Sequence, residues 1–133
     1  MTPVEQFLTA IGEKSHLRPQ GKKTIFHYEF EGGGLICFKT VRSGDRLHMH
    51  NIIVEQPKQG TGSALMQLVC DFADQYAVTI TLTALPFGDP AARIKIFKLI
   101  SWYRSFGFVV NDDYYDGQTM DIADGMEMIR DPR

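Results

Sequence analysis

The hydrophobic period of this chain changes twice around one short glycine-containing segment, and that change limits the fold more than any other feature. Residues 46–55 read as a strand. Gln59-Gly60-Thr61-Gly62-Ser63 follows, and then Leu65, Leu68, Val69, Phe72 and Tyr76 recur at helical spacing, with Gln67, Asp71 and Asp74 opposite. Residues 78–85 alternate again, Val78, Ile80 and Leu82 against Thr79, Thr81 and Thr83. Strand, glycine turn, helix and strand make one βαβ unit. Glycines let the backbone turn tightly, and a helix start offers unpaired N–H groups and the positive end of its dipole, which together suit a pyrophosphate. A tight turn with no ligand would show the same glycines, so the neighbouring residues have to decide.

Upstream, Thr2-Pro3-Val4-Glu5 combines a capping hydroxyl, a proline at the first helical position and a glutamate three residues after the cap. Val4, Phe7, Leu8 and Ile11 continue at helical spacing, Gly12 is a plausible stop, and residues 13–21 read as a connector. From Lys22 the period is two: Phe26, Tyr28 and Phe30 alternate with Ile25, His27 and Glu29 up to Glu31-Gly32-Gly33-Gly34. Residues 35–42 return, Ser43-Gly44-Asp45 turns the chain again, and the front half is expected to be a helix and a three-stranded antiparallel meander. Downstream, Asp89-Pro90 opens a helix through about Ser105 with Ile94, Phe97, Ile100 and Tyr103 inward. Residues 106–111 read as a strand, 111–125 as a polar acidic loop and 126–130 as a short last strand.

At 133 residues, with 44% hydrophobic residues, one domain spanning 1–133 is expected, its first 21 residues being the leading helix and connector. The net charge of -2 gives no general drive toward nucleic acid or an anionic membrane, so neither is expected as a partner. Cys37 and Cys70 form no CxxC and fit a reducing compartment, no basic signal-peptide start is seen, and no apolar run reaches the ~18 residues of a span. A cytoplasmic location is expected.

A dinucleotide-binding turn of the GxGxxG type would need glycine where Leu65 stands, and a P-loop would need GK[ST]. The stretch Gly60-Thr61-Gly62-Ser63-Ala64-Leu65 instead resembles motif A of the GNAT N-acetyltransferase superfamily, which has the form [RQ]xxGxG/A at a strand-to-helix junction. Tyr103-Arg104-Ser105-Phe106-Gly107-Phe108 is similar to that family's YxxxGF, and Met126-Glu127-Met128-Ile129-Arg130 to its last strand. The resemblance extends over about residues 24–130, and short bacteriophage or bacterial GNAT-like proteins look similar. It departs at Pro57, where the family has Arg or Gln, and in a short stretch between Val54 and Gly60.

The resemblance implies an α/β (α+β) fold with a mixed, mostly antiparallel central sheet flanked by helices. It implies an acetyl-CoA-dependent N-acetyltransferase in which an amine attacks the thioester directly, with no metal. Gln59, Gly60, Thr61, Gly62 and Ser63 would hold the pyrophosphate, and backbone groups of Ile52 and Val54 would align the pantetheine arm. Tyr103 maps onto the general acid; a core tyrosine would occupy the same place. His48 and His50 lie two apart on a strand and so on one face, which makes His50 the candidate base, His48 and Glu55 its alternatives. A structural role serves that pair equally, and a His-x-His metal site lacks a third ligand at a telling spacing. The partners implied are acetyl-CoA and an amine acceptor, with room for a homodimer. The other reading is a GNAT-fold binding or regulatory module without catalysis.

Overall fold

A computed structural model of the chain describes residues 2–18, 25–30, 34–40, 44–54, 61–84, 92–115 and 125–133. The chain divides into two compact units, Met1–Ile80 with Asp131–Arg133, and Thr81–Arg130.

The first unit opens with α1 (Pro3–Glu13), whose N-cap Thr2 accepts a hydrogen bond from the Glu5 N–H at 3.1 Å, as the cap signature requires. The helix passes through Gly12 and ends one residue later. Four strands follow, β1 (His16–Arg18), β2 (Ile25–Phe30), β3 (Gly34–Thr40) and β4 (Arg46–Val54), each antiparallel to the next. The meander is therefore four-stranded, because β1 lies inside the expected connector. Three residues are too few to display an alternation.

One face of this meander carries Tyr28, Ile36, Phe38, Leu47 and Met49, all buried. Phe7 of α1 meets Phe38 edge-to-face at 5.4 Å, and Tyr28 meets the same ring at 6.3 Å. The register between β3 and β4 shifts at Cys37/Phe38: Cys37 faces Asn51 while Phe38 faces Met49, leaving His50 as the extra residue of a β-bulge. Next, α2 (Thr61–Tyr76) buries Leu65, Met66, Val69, Cys70 and Ala73, packs on α1, β3 and β4, and leads into β5 (Thr79–Ala84). The buried stripe is rotated from the expected one: Leu68, Phe72 and Tyr76 are only half-buried, and Met66, Cys70 and Ala73 take the inner positions.

At its C-terminal end α2 closes with Ala77 at φ 58, and the Val78 N–H reaches back to the Ala73 carbonyl at 2.9 Å. The turn at Gly44 and Asp45 ties this unit together, its two carbonyls accepting from Val4 N–H at 3.0 Å and Thr79 N–H at 2.8 Å. Residues 131–133 fold back here as well: Asp131 accepts from the Thr79 hydroxyl and Asp74 from the Arg133 N–H.

The second unit holds the rest of β5, then α3 (Ala92–Ser105), β6 (Val109–Val110) and β7 (Met126–Arg130), with strand order β5-β7-β6 and β6 antiparallel to β7. Its core is Leu82, Ala84, Ile96, Ile100, Tyr103, Phe108, Met126 and Met128. Phe97, expected inward, is 59% exposed, and Ile96 is buried in its place. Strand β6 is shorter than expected because Phe106 and Gly107 still belong to the turn that ends α3. Asp89-Pro90 lies outside the described residues, as does most of the acidic loop.

Candidate active site

Two groups of the expected site residues belong to the first unit. His50, Ile52 and Val54 share β4, where Ile52 pairs with Ile36 and Val54 with Gly34. His50 is exposed, His48 half-buried, and their rings stand 6.3 Å apart, in keeping with the single face that two-residue spacing predicts. The bulge at His50 was not visible in the sequence. It adds one residue to β4 against β3, an irregularity that recurs beside active sites.

The second group is the start of α2. Thr61, Gly62 and Ser63 form its first turn, with Gly62 half-buried and Ser63 exposed; Gln59 and Gly60 lie outside the described residues. No acidic residue occurs in that turn. Its N–H groups and helix dipole therefore meet no carboxylate of their own helix start, which is the condition an anion needs. The helix is held at this end by a close approach: a Cβ on Gly34 would collide with the Leu65 side chain. Any larger residue at Gly34 would require the Leu65 side chain to move.

Tyr103 is a residue of the second unit and is 6% exposed. Its surroundings explain the YxxxGF spacing in physical terms. The Phe108 N–H bonds to the Tyr103 carbonyl at 3.3 Å, the Gly107 N–H to the Arg104 carbonyl at 3.0 Å, and Gly107 takes φ 97. That pair of bonds is a Schellman cap, which wants glycine in the left-handed region and an apolar contact between the residues that flank the six-residue bond. Tyr103 and Phe108 make that contact, ring to ring at 5.8 Å. Trp102 adds a ring at 5.1 Å from Tyr103, and the Arg130 Nε donates to the Phe106 carbonyl at 2.7 Å, placing a cation at the helix end. Burial pushes the Tyr103 phenol up to about 12, so it holds its proton throughout the neutral range.

Cys37 and Cys70 are both buried, and burial raises the Cys37 thiol, so neither has the exposed thiolate that a nucleophile needs. Among the described residues no group of three or more His, Cys, Asp or Glu could hold a metal ion, and no helix is long and apolar enough to cross a membrane.

Solved structures place this architecture. A GNAT-family protein from Bacteroides thetaiotaomicron superimposes with a TM-score of 0.57 at 15% identity, over 96% of this chain and 77% of that one. This is the GNAT fold. The ribosomal-protein-S18-alanine N-acetyltransferase of Escherichia coli shares it at a TM-score of 0.50 and 20% identity, over 94% of this chain and 85% of its own. The anti-CRISPR protein AcrVA5 is similar at a TM-score of 0.57 and 28% identity, covering 79% of this chain and 96% of that one. No protein-family model matches the chain, and neither does any curated protein.

Proposed function

We propose that this chain is an acetyl-CoA-dependent N-acetyltransferase. The observation that carries the reading is the start of α2: a GNAT-fold helix that begins on Thr61-Gly62-Ser63, without an acid in its first turn. Its N–H groups and dipole would hold the pyrophosphate together with Gln59 and Gly60. Backbone groups of Ile52 and Val54 would align the pantetheine arm and polarise the thioester carbonyl. The acceptor nitrogen attacks the carbonyl carbon, the new N–C bond forms as the C–S bond breaks, and two protons need a destination and a source. His50, exposed at the bulge of β4, takes the amine proton, directly or through water. Tyr103 gives its phenolic proton to the departing thiolate. With the phenol pushed up to about 12 it is protonated at neutral pH.

The test is calorimetric titration with acetyl-CoA, followed by thiol release across a panel of amines. Binding with release of CoA thiol supports the reading; the absence of binding removes it. The likeness to an anti-CRISPR protein, over nearly the whole length of that protein, favours a second reading of biological role: a chain that counters a CRISPR system. Restored interference in cells carrying a CRISPR system when the protein is expressed with Tyr103→Phe would join the two readings. Acetyl-CoA binding without thiol release on any amine would leave the binding or regulatory module instead.

A further inference from the structure

The two halves of the second unit carry opposite charge. Over its 14 residues α3 contains Arg93, Lys95, Lys98 and Arg104 and no acid. The chain from 105 to 129 contains only acids among its charged residues, beginning with Asp112 and Asp113. Each half also shows an aromatic side chain to solvent. On α3, Phe97, Lys98, Ser101 and Arg104 are exposed; Phe97, Ser101 and Arg104, at i, i+4 and i+7, share one stripe roughly 10 Å long, and Lys98 flanks it about 100° round the helix from Phe97. On the turn that follows β6, Asp112, Asp113 and Tyr114 are exposed, Phe97 and Tyr114 to nearly the same extent at 59% and 57%.

The acidic turn is fixed in shape. The Asp112 N–H bonds to the Val110 carbonyl, Tyr114 N–H to Asn111 and Tyr115 N–H to Asp112, each at 3.1 Å. Behind it, the Tyr115 hydroxyl accepts from the Glu127 N–H at 2.8 Å while the Tyr114 and Tyr115 rings meet at 5.1 Å. The backbone that presents two acids and an aromatic ring is therefore set before docking, which leaves only the side chains to be ordered.

We propose that the exposed face of α3 carrying Phe97, Lys98 and Arg104 docks on the Asp112, Asp113 and Tyr114 turn of a second copy of this chain. The occupant follows from complementarity. Each surface offers one aromatic ring with two like charges, the signs are opposite, and one unit carries both, so two copies can exchange the contact reciprocally. An anionic nucleic acid would use the basic stripe but leave the exposed tyrosine and its acids without a role.

Sedimentation velocity with two charge-reversed proteins tests this. The wild-type chain is expected to associate, and to dissociate as salt is raised. Lys98→Glu with Arg104→Glu makes both surfaces acidic, Asp112→Lys with Asp113→Lys makes both basic, and each double variant alone is expected to be monomeric. Mixed in equal amounts, they regain both contacts and associate again. Circular dichroism checks that these exposed substitutions leave the fold intact. A monomeric wild type, association indifferent to the reversals, a mixture that stays monomeric, or a stripe that captures a single-stranded oligonucleotide while the protein remains monomeric would each overturn the proposal.

Discussion

Tyr103 and Phe108 stand edge-to-face at 5.8 Å, brought together by the hydrogen bond from the Phe108 N–H to the Tyr103 carbonyl that closes α3. The same residue thus caps a helix with its ring and backbone and offers a phenol for proton transfer. The two roles separate on substitution. Tyr103→Phe keeps the ring and is expected to leave the melting temperature nearly unchanged while slowing thiol release by roughly 10²–10⁴-fold. Gly107→Ala forces a Cβ into the left-handed region and costs about 1–2 kcal/mol in stability. Full activity in Tyr103→Phe would reduce Tyr103 to its capping role.

What could be read beforehand follows from which groups do the work. The start of α2 beside Thr61-Gly62-Ser63 was legible because glycines and helix starts act through the backbone, and their signature survives whatever the side chains do. The Thr2 cap and β7 were legible for similar reasons: local hydrogen bonding in one, a strict alternation in the other. The α2 face was not, since Leu65, Met66, Leu68, Val69, Cys70, Phe72 and Ala73 surround the helix with apolar groups and periodicity cannot choose among them. Neither was the bulge at His50, which has no glycine to mark it and depends on the pairing of β4 with β3. Phe97 misled because an exposed aromatic follows the same spacing as a buried one.

Alkaline titration should reveal the buried phenols. Burial pushes both Tyr28 and Tyr103 up to about 12, above the ~10 of an exposed phenol. A folded-state value raised in this way gives stability that is complete below about pH 10 and is lost as the pH climbs through 12. A late rise in phenolate absorbance is therefore expected together with unfolding, and Tyr28→Phe with Tyr103→Phe should remove it. For the same reason, a loss of acetyl transfer below pH 10 is expected to come from a group other than Tyr103. If Tyr103→Phe abolished an alkaline fall in that range, Tyr103 would be the titrating donor and its phenol would not be raised by burial.

The start of β3 comes close to the Leu65 side chain of α2. Gly34→Ala overpacks against Leu65, which is 7% exposed, and should cost about 1–3 kcal/mol while shifting the first turn of α2. Acetyl-CoA affinity is expected to fall along with stability. Adding Leu65→Ala makes room for the new methyl, so the double variant should be more stable than the sum of its parts. Strict additivity of the two, measured by denaturant unfolding, would show that the close approach does not hold the helix.

At the opposite end of the same helix the constraint has the reverse sign. Ala77 occupies the left-handed region at φ 58, a conformation that disfavours a Cβ, in order to let Val78 bond back to Ala73. Glycine removes that strain at the cost of some unfolded-state entropy, so Ala77→Gly is expected to stabilise the chain by up to about 1 kcal/mol. The melting temperature would rise by roughly 2–4 °C. Because the substitution lies at the far end of α2 from Thr61, acetyl-CoA affinity should stay as it is, which makes it the control for Gly34→Ala. A lower melting temperature would mean that Ala77 carries a contact more valuable than the relief of its backbone.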